Sequence, residues 1–256
     1  MTPPSFAKVD IYLTVQNQPG RGYWAALIKS RSREKALARI SQLPSEQLAS
    51  QGLGEVIGFL KATCYIRLYV NAPIPFSFNF GPHQVQWFGE RTDEQKPYFE
   101  RINCLARILL ALMPLSSDNM RTVHILTTAV EGCWTSLLFT DGERLEAISG
   151  VESTKDNRLH LLTVSNGLES APPPPLPVCI YSNSEYVHIG QNGLPGWSKH
   201  WRTKHGEPLQ NADLWKIVWK HCGQRPLLWK RLSQEQTTLC YALAKMTLEQ
   251  RRSATV

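Results

Sequence analysis

The densest chemistry in this sequence lies between Trp197 and Arg231. Eight cations (Lys199, Arg202, Lys204, Lys216, Lys220, Arg225, Lys230 and Arg231) are set there against two acids, Glu207 and Asp213. That excess accounts for most of the net charge of +7 carried by all 256 residues. Clustered cations suit a phosphate backbone, because each contact releases counterions held by the polyanion. Trp197 and Trp201 stand four residues apart. On a helix starting near Trp197 they share one side and pack against the body, while Lys199, Arg202 and Lys204 project elsewhere.

Other reactive residue types are dispersed. The six cysteines (Cys64, Cys104, Cys133, Cys179, Cys222, Cys240) include no CxxC pair and no ligand-like Cys/His spacing, so neither zinc nor a disulfide framework is expected. Reduced thiols in a cytoplasm are the expectation, with no metal and no cofactor. His160, His188, His200 and His205 share no metal-binding spacing and read as surface or satisfied core residues. The N-terminal MTPPSFAKVD lacks the basic-then-apolar pattern of an export signal, and Cys104 to Leu115 is too short and too charged, at Arg107, to anchor in a membrane. With 42% hydrophobic and 19% charged residues the composition is that of a folded protein.

Positioning elements follow from periodicity. Strands are expected over Val9–Val15, Tyr23–Ser30, Lys35–Gln42, Tyr65–Asn71 and Gln84–Phe88. One helix is expected from Ser45–Glu46 to Lys61, and another from Asp93 until Pro114 stops it. From Thr122 the order restarts, with strands VHILTTAV, WTSLLFT and ERLEAISG, a helix over Asn157–Ser170, a Pro172–Pro175 spacer, strands at Val178–Tyr181 and Leu227–Leu232, and a helix over Gln234–Arg252. Two passes through one order, at a period of roughly 110 to 120 residues, imply two duplicated α/β domains rather than a solenoid. The expected domains are 1–115 and 121–256, each a mixed five-stranded sheet flanked by helices.

Four runs in the second half, YSNSEYV from Tyr181, WSKHWRTKHG from Trp197, NADLW from Asn211 and CYALAK from Cys240, occur in the order of the signature segments of type 1 ribonuclease H. This half resembles that family, including its basic protrusion. The first half resembles it more faintly, through QPGRGYWAALI, IRLYVN and ERINCLAR, and has no protrusion between Ala72 and His83. The resemblance implies tandem RNase H-like domains.

It also implies a site of four carboxylates holding two divalent ions about 4 Å apart. The motifs carry those positions onto Thr128, His160, Asn183 and Tyr241 in the second half, and onto Thr14, Ala49, Asn71 and Asn103 in the first, all without a carboxylate. The family's mobile histidine loop is shortened to Ser233-Gln234-Glu235. The expectation is therefore a protein that is not an enzyme and grips RNA/DNA hybrid, RNA or DNA without cutting, as a binding or assembly subunit of a nucleoprotein complex. The contacts would come from Lys199, His200, Arg202, Lys204, Lys230 and Arg231, with Asn157 and Arg158 at a minor groove. Two alternatives stand beside it. One is a protein-interaction subunit using the aromatic loop Phe76–Phe80, and the other is a residual nuclease rewired around Glu152, Asp156 and Glu185.

Overall fold

The structure is a computed structural model describing residues 7–18, 21–30, 34–72, 78–88, 93–116, 122–140, 144–154 and 156–253. The turns expected at 18–22 and 141–142, the boundary expected at 114–120 and the loop 74–82 fall partly or wholly on residues outside this set. Two compact units emerge, one of Met1–Leu110 with Glu143–Glu146, the other of Ala111–Gly142 with Ala147–Val256.

The first unit runs β1 (Ala7–Gln18), β2 (Arg21–Ser30), β3 (Glu34–Ser41), α1 (Ser45–Gly58), β4 (Cys64–Val70), β5 (Gln84–Phe88) and α2 (Lys96–Ser116). Its strands lie in the order β3-β2-β1-β4-β5. The first three are antiparallel, and β4 and β5 are parallel to β1. Alternation along β1 divides the core. Ile11, Leu13 and Val15 pack with Trp24, Leu48, Leu53 and Leu68 under α1. Tyr12, on the other face, stacks on Tyr69 at 4.9 Å and on Tyr98 of α2 at 4.5 Å, and Tyr69 stacks on Phe88 at 4.9 Å. Phe78 and Phe80, expected in an exposed aromatic loop, instead meet edge to face at 4.8 Å and pack on the α1-side core.

The second unit repeats the plan with β6 (Val123–Val130), β7 (Cys133–Thr140), β8 (Arg144–Val151, whose first three residues group with the first unit), α3 (Asp156–Ser170), β9 (Val178–Tyr181), α4 (Glu185–Trp197), α5 (Ala212–Cys222), β10 (Leu227–Lys230) and α6 (Gln234–Ser253). The strand order is β8-β7-β6-β9-β10. β7 is antiparallel to β6, while β9 and β10 are parallel to it. Ile125, Val164, Leu168, Ile180 and Trp215 fill the α3 side, and α6 covers β6 and β7 with Leu239, Leu243 and Leu248 buried. Each unit is thus the mixed five-stranded α/β sheet with flanking helices that the sequence implies.

Three helix expectations need correction. Helix α2 continues through Pro114 to Ser116, because a proline in a final turn forfeits a single backbone hydrogen bond. Helix α5 lies on a segment for which no helix was expected, and helix α4 was not expected either. Gly190, Gly193, Pro195 and Gly196 erase its propensity signal, yet Gly190 is what lets α4 sit down on Trp215. A Cβ at Gly190 would lie 2.1 Å from Trp215 Cζ2.

Candidate nucleic-acid interface

The cations of the second unit are displayed by a turn built on tryptophans. Trp197 is the last residue of α4, and Trp201 lies beyond the helix with φ +55°, so the expected single helix carrying both rings is not formed. The chain turns immediately, with Trp201 N–H donating to Trp197 O at 2.7 Å. Both rings nonetheless pack on the α3-side core, the role expected of them, and Trp197 meets Trp215 edge to face at 6.1 Å. The Tyr186 hydroxyl fastens this layer. It donates to Gln210 O at 3.2 Å and accepts from Asn211 Nδ2 at 3.1 Å and Trp215 Nε1 at 3.3 Å.

A small hairpin follows. Thr203 N–H donates to Glu207 O at 2.8 Å, Leu209 N–H to Trp201 O at 3.0 Å, and Gly206 takes the left-handed φ of +83° that the bend requires. Arg202 Nη1 donates to Gly206 O at 2.6 Å, so part of its guanidinium is spent on holding the hairpin. Lys199, His200 and Lys204 are exposed around it. Lys216 of α5 places its Nζ 5.6 Å from the Trp201 ring centre. Several of the expected cations are thereby gathered on one local platform.

The remaining expected contacts are placed differently. Asn157 is exposed at the start of α3. Its neighbour Arg158 is already engaged by two acids, Asp213 at 2.8 Å and Glu152 at 3.6 Å. The Arg158 hydrogen bonds hold the Asp213 carboxyl below its ordinary range. Arg231 pairs with Glu185 at 2.6 Å, tying the end of β10 to the start of α4. Lys230 is exposed, with Nζ 6.0 Å from the Tyr181 ring centre.

The positions that the resemblance assigns to metal ligands hold no carboxylate. Thr128 is half-buried on β6, His160 half-buried on α3 and Tyr241 49% exposed on α6. Asn183 follows β9 with its carboxamide bonded to Leu232 and Thr237. In the first unit Thr14 is buried and accepts from Asn71 Nδ2 at 2.8 Å, and Asn103 Oδ1 is buried without a hydrogen-bond partner. Ala49 belongs to the core under α1, on the sheet face opposite Thr14, and so is no part of that site. Hard divalent cations take carboxylate and carbonyl oxygens. Among the described residues no group of three or more His, Cys, Asp or Glu side chains is arranged to hold a metal ion, and that includes Glu152 and Glu185. Among the described residues, the side chains at these positions do not fit a two-metal centre.

A buried pair escaped sequence reading. His124 of β6 lies 3.1 Å from the Tyr181 hydroxyl on β9, and burial together with Lys230 pushes its pKa down. His221 of α5 is lowered likewise, by burial and by Arg225 and Lys220. Strand alternation marks His124 as inward-facing, but its tyrosine partner, 57 positions away, carries no local signal.

Comparison with known proteins adds the lineage. Residues 125–233 match the family described as RNase H. The Ribonuclease H of Thiobacillus denitrificans is 36% identical over 101 residues, covering 39% of this chain and 68% of its own. The Ribonuclease H of Pseudomonas fluorescens is 37% identical over 122 residues, covering 44% of this chain and 79% of its own. The foamy viral protease-reverse transcriptase solved with an RNA/DNA hybrid aligns over 93% of this chain and 38% of its own at 13% identity, with a TM-score of 0.40, too low to bear on function. The relatives correct one expectation. A protein that is not an enzyme and does not cut is at odds with matches to proteins named Ribonuclease H at such identities, and substitutions at four positions do not by themselves demonstrate inactivity. Among the described residues no helix is long and apolar enough to cross a membrane. By these matches the chain belongs to the RNase H family.

Proposed function

We propose that the second unit engages nucleic acid, with an RNA/DNA hybrid as the preferred partner, along the surface formed by the α4–α5 turn. The observation that carries this reading is the platform on which Trp197, Trp201 and Trp215 are anchored while Lys199, Lys204 and Lys216 face solvent. Fixed cations around a rigid turn neutralise backbone phosphates at little ordering cost. The hybrid is the partner that the resemblance of the second half implies, and because the relatives are named Ribonuclease H, cleavage of RNA is the activity to measure beside binding.

The first unit, whose strand order and directions match those of the second, is read as a tandem copy divided near residues 115–121 that serves protein contacts in a larger nucleoprotein assembly. Six free cysteines support a reducing, cytoplasmic setting.

The test is fluorescence anisotropy of the full chain with labelled hybrid, DNA duplex, RNA duplex and single strands over a salt series, the same samples being run on denaturing gels with magnesium and manganese. Log affinity for hybrid is expected to fall against log salt with a slope of roughly 3 to 5, for about that many phosphate contacts. Absent or salt-indifferent binding to every probe overturns the proposal.

A further inference from the structure

Both units place an asparagine just after the strand that runs parallel to their first strand, Asn71 after β4 and Asn183 after β9. In the first unit Asn71 Oδ1 accepts from Val15 N–H at 2.8 Å and Nδ2 donates to Thr14 Oγ1 at 2.8 Å, binding the end of β4 to β1. In the second unit Asn183 Oδ1 accepts from Leu232 N–H at 3.1 Å and Nδ2 donates to Thr237 Oγ1 at 2.6 Å. The amide orientation follows from its partners, since a backbone N–H can only donate and so selects Oδ1.

The Thr237 hydroxyl spends its own proton on Ser233 O at 2.8 Å, so it can only accept from Asn183. A carboxylate at position 183 would offer no proton there. Ser233 and Gln236 then bond reciprocally, Ser233 N–H to Gln236 Oε1 at 3.0 Å and Gln236 N–H to Ser233 Oγ at 3.2 Å, a capping box that opens α6. His188 Nε2 lies 2.7 Å from Ser182 O, beside the same corner. The acceptors in this chain of bonds are carbonyl, carboxamide and hydroxyl oxygens.

We infer that Asn183 is a positioning residue, a carboxamide clamp that fixes the β10–α6 connection to the end of β9 through Leu232 and Thr237 without any cation, and that Asn71 does the same for β1 in the first unit. The clamp needs one donor and one acceptor on a single side chain, which asparagine has and aspartate lacks. Asn183 is open to solvent, so its effect is local.

Amide hydrogen exchange of the full chain tests the inference. Asn183→Asp and Asn183→Ala are each expected to speed exchange across residues 232–237 about threefold to tenfold, the scale of one hydrogen bond, with β6 amides unchanged. Thr237→Val, which keeps volume and removes the acceptor, is expected to act on the same segment and to add nothing to Asn183→Ala, and it carries the test alone should the position 183 variants not fold. Manganese added alone to the wild-type protein is expected to broaden no resonances saturably around Asn183. Unchanged exchange in Thr237→Val, or a saturable manganese site that Asn183→Ala abolishes, overturns the inference.

Discussion

The guanidinium of Arg158 straddles the carboxylate of Asp213, with Nη1 3.1 Å from Oδ1 and Nη2 2.8 Å from Oδ2, and so joins the first turn of α3 to the first turn of α5 across 55 residues of sequence. The side chains are 31% and 58% exposed, which limits the pair to less than about 1 kcal/mol of stability. It occupies one of the two α3 residues expected at the minor groove, so on the proposed interface its effect would fall on binding. Asp213→Asn is predicted to release Arg158 from its shorter ion pair, leaving Glu152 at 3.6 Å, to tighten hybrid binding about twofold to fivefold and to steepen the salt slope by up to about one. An unchanged slope in the anisotropy series would show that Arg158 does not reach the backbone. Asp213 titrates below its ordinary value in the folded protein. The pair's contribution is therefore complete above the ordinary carboxylate pKa and is lost as pH falls through the depressed one.

Lys199→Glu combined with Lys204→Glu is predicted to weaken hybrid binding by a factor of about ten or more near physiological salt, and to weaken DNA and RNA duplexes in similar proportion. Both residues are exposed, so thermal melting should hardly change. Arg202→Ala should differ, lowering affinity and loosening the hairpin, since this guanidinium also holds Gly206 O. A double lysine variant that binds like wild type would remove the turn from the interface.

Packing of α4 on α5 depends on the absence of a side chain at position 190. Gly190→Ala places a methyl group against Trp215, a fully buried ring, and is predicted to cost about 1–3 kcal/mol in chemical denaturation. Trp215→Ala, which empties the same layer, is predicted to cost about 3–5 kcal/mol and to release the Tyr186 hydroxyl from one donor. Equal stability of Gly190→Ala and wild type would contradict the contact.

Acid should destabilise the second unit through two histidines. His124 and His221 both have folded pKa values below the ordinary histidine value, so the folded state favours their neutral forms. The unfolded chain takes up those protons first as pH falls, and stability present above about pH 6.5 is lost as pH drops toward the folded values. His124→Gln and His221→Gln are each predicted to flatten the fall of the urea midpoint between pH 7 and pH 5. Parallel pH profiles for wild type and both variants would exclude the histidines as its source.

What the sequence alone determined was carried by short-range pattern. Alternation in VHILTTAV and WTSLLFT, and helical spacing in the chain before Pro114, depend on neighbours within a few residues, and so the strands, most helices and the recurrence of one element order are legible in one dimension. The ordered runs from Tyr181 to Lys245 made the family legible as well. Tertiary structure decided the rest, because the deciding partners lie far apart along the chain. Helix α4 contains three glycines and a proline, and one of those glycines, Gly190, is required because Trp215 fills the space a side chain would take. Trp201 leaves the helix at φ +55° and its carbonyl accepts from Leu209 N–H, a partner eight residues on that helical spacing does not announce. Whether a cation is offered to solvent or spent internally, as for Lys199 against Arg158, depends on which carboxylate folding brings beside it, and no spacing rule encodes that.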